Sequence, residues 1–139
     1  LEHIKKFFSN RDRFAKHIGI ELVEVSEGQA TARVEITEHL LNSANMIHGG
    51  AIFTLADFAF AAACNSYGQI ALSINVSINF VLAAYEGVLV ANAREVTRQG
   101  KLSTYEVLVT NEKKEIIATF QGLAYHKKDP LIGLEKYMD

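Results

Sequence analysis

Tryptophan is absent from this 139-residue sequence, and cysteine and proline occur once each, as Cys64 and Pro130. A lone cysteine excludes an internal disulfide, so the fold must rest on burial and hydrogen bonding, and a reducing cytoplasm is the expected setting. The single proline stands near the end, which leaves the body of the chain free to form continuous strands. No sign of charge dominates: 14 Lys and Arg against 16 Asp and Glu give a formal net charge of −2. The basic pairs Lys5-Lys6, Lys113-Lys114 and Lys127-Lys128 are scattered and read as solvated surface, which argues against a nucleic-acid-binding face. No segment offers the ~20 consecutive apolar residues that cross a bilayer. Residues 1–13 are too charged for a signal peptide. His3, His17, His39 and His126 lack ligand spacing, so no metal and no bound cofactor are expected.

What is present centres on residues 49–65, an apolar stretch whose one charge is Asp57. Apolar residues at every phase of the helical period predict a helix over 49–67 buried all round, closed by Tyr67-Gly68. An ionised carboxylate inside it costs roughly several kcal/mol to desolvate unless it is paired, wet or catalytic. Cys64, on the same helix with no base beside it in sequence, reads as an inert buried thiol. His48-Gly49-Gly50 comes just before the helix, a backbone lean enough for a ligand to approach closely.

Around this helix the period changes. Ile4, Phe7, Phe8, Phe14 and Ile18 recur at helical spacing over 3–18, with a break expected at Ser9-Asn10. Strands are predicted over 20–25 and 30–36, with Glu27-Gly28 turning between them. Residues 37–47 read as a polar loop. Leu72, Ile74, Val76, Ile78 and Phe80 alternate with Ser73, Asn75, Ser77 and Asn79, the strongest period-two pattern in the chain. Further strands are expected over 88–98, 102–110 and 115–126, the first two joined by a tight turn at Gln99-Gly100. A C-terminal tail is expected over 127–139, with a short helix over 131–138. The chain reads as one α+β domain over 1–139, a strongly curved antiparallel sheet wrapped around one long central helix.

That order of elements, with Asn42, then His48-Gly49-Gly50, then Leu55-Ala56-Asp57, resembles the PaaI-type acyl-CoA thioesterases of the hotdog fold. Members of that group carry an Asn six positions before the His-Gly-Gly and an Asp nine after the His, as Asn42, His48 and Asp57 stand here. The resemblance covers residues 12–127. It implies that Asp57 is the catalytic carboxylate, acting as general base or as nucleophile. It implies that the Gly49 N–H polarises the thioester carbonyl, and that His48 and Asn42 line the site. Ser73 matches a hydroxyl position that helps to place the water. The substrate implied is an acyl-CoA, arylacetyl or related aromatic or short-to-medium acyl, and the assembly implied is a homodimer, further paired into a homotetramer. Two positions depart from the common pattern: Asn45 stands where many members have Gly, and Asn75 lies near a position often acidic elsewhere. Both are expected near the pocket.

The chemistry can also be read from the residues. Backbone N–H groups at a helix start have no intrahelical acceptor and carry the positive end of the helix dipole. Gly49 and Gly50 would let a carbonyl oxygen reach them, an oxyanion hole of the kind worth ~3 kcal/mol per donor. A carboxylate in apolar surroundings has a raised pKa and is a better base. Gly49 and Asp57 are eight residues apart, ~12 Å along a helix axis and too far to act on one carbonyl carbon. An isologous dimer would bring Asp57 of one chain to Gly49 of the other. Arg98 and Lys101, flanking the Gln99-Gly100 turn, are candidates for binding the coenzyme's phosphates. Two other readings are an acyl-CoA hydratase or dehydratase and a non-enzymatic acyl-CoA-binding module. The His-Gly-Gly and the absence of proline before residue 130 argue against the first. Retention of a costly buried acid argues against the second.

Overall fold

The computed structural model describes residues 1–131. Two short helices, α1 (Glu2–Arg11) and α2 (Arg13–His17), precede strands β1 (Glu21–Ser26) and β2 (Gln29–Glu35). A 3-10 turn at Glu38–Leu40 leads to the central helix α3 (Gly49–Cys64). Four strands follow: β3 (Gln69–Phe80), β4 (Val88–Gln99), β5 (Leu102–Thr110) and β6 (Ile116–Pro130). They form one antiparallel sheet in the order β1-β2-β4-β5-β6-β3, with α3 against one face.

The core is what the alternating patterns require. Ala32, Leu89, Ala91, Val107, Val109, Ile117 and Phe120 point from successive strands at α3 and are fully buried. On the helix, Leu55, Ala56, Ala59, Phe60, Ala62 and Ala63 meet them, also fully buried. Small residues bring α3 close to the sheet, and the Phe60 ring fills the remaining depth, packed against Tyr105 at 5.5 Å and Phe120 at 5.7 Å between centroids. Gly122 makes room for that ring: a Cβ there would stand 2.6 Å from Phe60 Cζ.

Several boundaries differ from the sequence reading. The first helix continues through Ser9-Asn10 and breaks at Asp12, whose carboxylate accepts the Ala15 N–H at 3.0 Å and so starts α2. A side-chain acceptor can restart a helix where two weak helix formers alone do not stop one. The central helix ends at Cys64 rather than 67, because Asn65 turns away to exchange hydrogen bonds with the Ala71 backbone (2.8 and 3.3 Å). Strand β6 runs on to Pro130, so 127–130 is sheet rather than tail. The expected helix over 131–138 lies outside the described residues except for Leu131. None of the described helices is long and apolar enough to cross a membrane.

The largest correction concerns α3 itself. It is not covered on all sides: Gly50 is exposed, and Phe53, Thr54, Asp57 and Ala61 are only partly buried. Their spacing of three and four residues makes one continuous stripe along the helix, turned away from the sheet except at its flank, where the Phe53 ring reaches Phe120 (5.8 Å between centroids). Phe53 and Ala61 in that stripe are as apolar as the core, so the sequence pattern did not reveal that the sheet of one chain leaves it open.

Candidate active site

The start of α3 is fixed from both flanks. His48 N–H donates to the Leu40 carbonyl at 2.7 Å, and Ile47 N–H to Ala84 at 2.8 Å. His48 is extended (φ −64°, ψ 135°) and caps the helix, its Nδ1 accepting the Gly50 N–H at 2.8 Å. An accepting Nδ1 places the proton of the neutral ring on Nε2. The Gly50 N–H is therefore taken within the chain, whereas the Gly49 N–H, at the first helical position, has no acceptor among the described residues. Of the two donors expected for an oxyanion hole, Gly49 is the one left available.

Two depressions flank this helix start. One, of about 260 Å³, lies between Asn42, Gly49, Ile52 and the segment 80–84. The other, of about 450 Å³, lies between Phe14 of α2, Ile18 just after that helix, Leu40 and Leu41, and His48, Gly50, Phe53 and Thr54. The second opens onto the uncovered stripe of α3. Its walls are mostly apolar, with His39, His48 and Thr54 at the rim.

Asn42 closes its own loop. Its Oδ1 accepts the N–H groups of Ala44 (2.8 Å) and Met46 (3.1 Å), and its N–H donates to the Met46 carbonyl at 2.7 Å. The turn needs a left-handed residue at position 45, and Asn45 supplies it with φ 60°. Glycine would serve the same turn, so the departure at Asn45 keeps the backbone geometry. Asn42 still lines the smaller depression together with Gly49.

Asp57 is half-buried on the open stripe of α3, and no hydrogen bond ties its carboxylate to the described residues. Burial pushes its pKa up, and the Asp12 carboxylate, from the corner between α1 and α2, pushes it further the same way. Both effects make Asp57 a stronger base than an exposed aspartate. Cys64 is buried and its thiol is pushed up to about 12, chiefly by burial, which leaves it neutral.

The polar row on β3 is split by a register shift at Ile74. Before it, Ser73 pairs with Ala124, in register with Ser103 of β5, and both of those are buried on the helix side. After it, Asn75, Ser77 and Asn79 pair with Leu123, Gln121 and Thr119 on the outer face. Ser73 is thus the one member of the row on the helix side of the sheet. Asn75, expected near the pocket, lies instead over an outer-face hollow with Ser77, Thr104 and Gln121, so that departure does not touch this site.

Arg98 and Lys101 are not brought to Gly49 within one chain. Arg98 stacks 5.4 Å over the Tyr67 ring, past the C-terminal end of α3, and Lys101 stands 5.9 Å from the Tyr125 ring. That end and Gly49 are the two ends of the 16-residue helix, ~22 Å apart along the axis. Among the described residues, no group of three His, Cys, Asp or Glu is placed to hold a metal ion.

Sequence reasoning missed three contributors. Asp12 could have been found as an N-cap signal, an Asp just before Phe14-Ala15, but its nearness to Asp57 is a tertiary fact. Residues 80–84, where the alternation of β3 ends, carry no site signal in the sequence, although they wall the depression at Gly49. The buried pair Ser103 Oγ and His126 Nε2, 2.6 Å apart, lies near the far end of α3 and left no pattern in the sequence.

Comparison with known proteins agrees with this arrangement. Residues 44–118, more than half of the chain, match the thioesterase superfamily. A candidate esterase of Archaeoglobus fulgidus is 41% identical over 126 residues, covering 90% of this chain and 82% of that protein. The acyl-coenzyme A thioesterase PaaI of Escherichia coli is 34% identical over 123 residues, covering 88% of each. The structure of the E. coli PaaI protein from the phenylacetic acid degradation operon superimposes with a TM-score of 0.88 at 29% identity, covering 93% of this chain and 94% of that one. A Streptococcus mutans protein bound to acetyl-CoA superimposes with a TM-score of 0.76 at 25% identity, covering 81% and 91%. With this sheet order, this helix and these matches, the chain belongs to the thioesterase superfamily, as a hotdog-fold thioester hydrolase of the PaaI type.

Proposed function

We propose that the protein hydrolyses acyl-CoA thioesters, with Asp57 as general base or nucleophile and the Gly49 N–H as oxyanion donor. The observation that carries this is the state of the two groups on one helix. Among the described residues, Asp57 is half-buried, without a hydrogen-bond or ion-pair partner, and made more basic by its surroundings, and the Gly49 N–H has no acceptor. In the general-base course, Asp57 takes a proton from water as its oxygen bonds to the thioester carbon. The carbonyl oxygen gains charge against Gly49 N–H, and the C–S bond then breaks to release CoA and the free acid. In the nucleophilic course the Asp57 oxygen forms the new bond first, and water hydrolyses the resulting anhydride. His48 caps the helix start and, with Asn42, shapes the approach to Gly49. Ser73 is assigned to placing the water, supported by its position on the helix side of β3.

An acyl-CoA as substrate is supported by the E. coli relative, an acyl-coenzyme A thioesterase, and by the S. mutans neighbour bound to acetyl-CoA. An aromatic or short-to-medium acyl group is supported by the apolar depression beside Gly50, where Phe14 and Phe53 offer ring faces. Arg98 and Lys101 are assigned to the coenzyme phosphates, and Gly50 to the wall beside the acyl group. The reading requires a second copy of the chain. Asp57 and Gly49 lie too far apart along one helix, and β3 is a 12-residue edge strand whose exposed Leu72, Ile74 and Phe80 and unpaired backbone edge an isologous partner would cover. Two such dimers would form the homotetramer. The free thiol Cys64 accords with a cytoplasmic location.

The test is a thiol-release screen over short, medium, long and aromatic acyl-CoAs, with wild type and Asp57→Asn side by side. Asp57→Asn should lower turnover on every accepted substrate by at least about a hundredfold. Near-normal turnover would remove Asp57 from the mechanism. Release from none of the acyl-CoAs by wild type would remove the substrate class.

A further inference from the structure

Contacts between α3 and the sheet give each helix residue a level along β3, and the two elements run in opposite directions. At the helix start, a Cβ on Gly49 would stand 3.3 Å from the Phe80 ring. Phe53 packs on Phe120 at 5.8 Å between centroids, and Phe120 is paired with Ile78. Phe60 lies against Gly122, which is paired with Val76. Past the helix end, Asn65 exchanges hydrogen bonds with the Ala71 backbone. Asp57, between Phe53 and Phe60, is therefore level with Val76 and Ser77. Distance agrees with contact: the eight residues from Gly49 advance ~12 Å along the helix, about three and a half residues of strand counted back from Phe80.

The open edge of β3 has a definite pattern. Asn75, Ser77 and Asn79 are on the outer face, so Val76, Ile78 and Phe80 are on the helix face. Val81 N–H is turned inward, to the Ile117 carbonyl at 2.8 Å. Pairing with β6 is unbroken from Asn75 to Phe80, so by alternation the N–H and C=O groups of Val76, Ile78 and Phe80 point away from β6. Ile74, Phe80, Val81 and Leu82 expose large apolar side chains along the same stretch.

We propose that this edge pairs with the β3 of a second copy, antiparallel and centred on Ile78, so that Val76 of each chain stands opposite Phe80 of the other. A twofold axis between antiparallel strands keeps helix face beside helix face, so it passes through one residue rather than between two. For Gly49 of one chain to come level with Asp57 of the other, that residue must lie midway between Phe80 and the Val76–Ser77 level. Ile78 does. The same register joins the outward backbone groups of Val76, Ile78 and Phe80 to their counterparts, and sets Ile74 of each chain against Leu82 of the other. The inference rests on the reading that Gly49 and Asp57 of different chains act on one carbonyl. It adds that Phe80, beside its own Gly49, comes level with the other chain's Asp57 and walls the shared site.

The test is oxidative cross-linking of the full-length protein, read on a non-reducing denaturing gel. Wild type, whose one thiol is the buried Cys64, is the control. Directly opposed residues are within disulfide reach, and residues one register step away are not. Ile78→Cys should give a covalent dimer. Ser77→Cys and Asn79→Cys, at exposed outer positions, should each run as monomer alone and as covalent dimer when combined in one chain. The combined variant leaves Ile78 in place, so the outcome does not hang on the folding of Ile78→Cys. Cross-linking by Ser77→Cys or Asn79→Cys alone would overturn the proposal, as would none in a folded combined variant. The gel does not depend on turnover, so the two ideas fail separately. Loss of turnover in Asp57→Asn, with cross-links centred elsewhere or missing, would sink the register alone. Near-normal turnover by Asp57→Asn would sink the catalytic reading whatever the gel shows.

Discussion

His48 Nδ1 accepts the Gly50 N–H at 2.8 Å, which makes a residue expected to line the site the N-terminal cap of the central helix. The bond uses one ring nitrogen and one backbone donor. It leaves Nε2–H and the Gly49 N–H on the outside of the helix start.

Capping can be separated from proton transfer by substitution. His48→Ala should lower stability by about 1 kcal/mol, the usual cost of a lost N-cap. His48→Asn, a strong capping residue, should restore most of that and keep turnover within about tenfold of wild type, less than about 1.4 kcal/mol of barrier. Thermal melts and steady-state rates on one accepted thioester decide it. If the Asn variant is folded but as slow as the Ala variant, the ring itself takes part in the chemistry.

Asp57 makes a stability prediction of opposite sign to its catalytic one. Its folded pKa is raised above the unfolded value by burial and by Asp12. Below the unfolded pKa both states are protonated and the group costs nothing. As pH rises through the folded pKa, the native state must carry a poorly solvated charge and loses stability relative to the unfolded chain. Asp57→Asn should therefore melt higher than wild type near neutral pH, and the gap should close as the medium is acidified below the folded pKa. Melting curves across that range check it. A gap independent of pH would mean that the substitution acts through packing rather than charge.

Much of this was legible in the sequence because it rests on local periodicity. Leu72 to Phe80 alternates as a strand should, the hairpin expected at Gln99-Gly100 turns one residue later at Gly100-Lys101, with Gln99 still paired to Leu102, and a helix rich in small apolar residues sits on the sheet. The remainder depends on contacts between distant residues. A register shift at Ile74 leaves a period-two pattern looking unbroken, since one face's polar row simply passes to the other; only the pairing with β6 separates Ser73 from Asn75. The open stripe on α3 was hidden because Phe53 and Ala61, though incompletely covered by this chain, are as apolar as the core. Asp12 and Asp57 are 45 positions apart, and no spacing rule predicts that the charge of one acts on the other or that Phe8 meets Phe58.

Gly122 gives a sharp test of how tightly α3 sits on the sheet. An added methyl would stand 2.6 to 2.9 Å from three carbons of the Phe60 ring, which is fully buried between Tyr105 and Phe120. The ring has nowhere to go without moving the helix. Gly122→Ala should cost at least about 1–3 kcal/mol, the range for overpacking a filled core, read from the denaturant midpoint. A combined Gly122→Ala and Phe60→Leu variant, which trims the ring, should be less destabilised than the sum of the two single changes. Simple additivity would show that the clash is relieved elsewhere.

The last prediction isolates the Gly49 N–H. Position 49 is the first residue of α3, where proline is tolerated because its missing N–H has no partner inside the helix. His48, at ψ 135°, already has the extended backbone that a following proline demands. A Cβ at this position meets the Phe80 ring at 3.3 Å, but Phe80 is more than half exposed and can yield. Gly49→Ala therefore measures the effect of added bulk, and Gly49→Pro measures bulk together with loss of the donor. Both should fold with melting temperatures within a few degrees of each other. If this donor stabilises the oxyanion, Gly49→Pro should turn over about 100- to 1000-fold more slowly than Gly49→Ala, the usual loss on removing one oxyanion-hole donor. Equal rates in the two folded variants would show that the thioester oxygen is held by something other than the start of this helix.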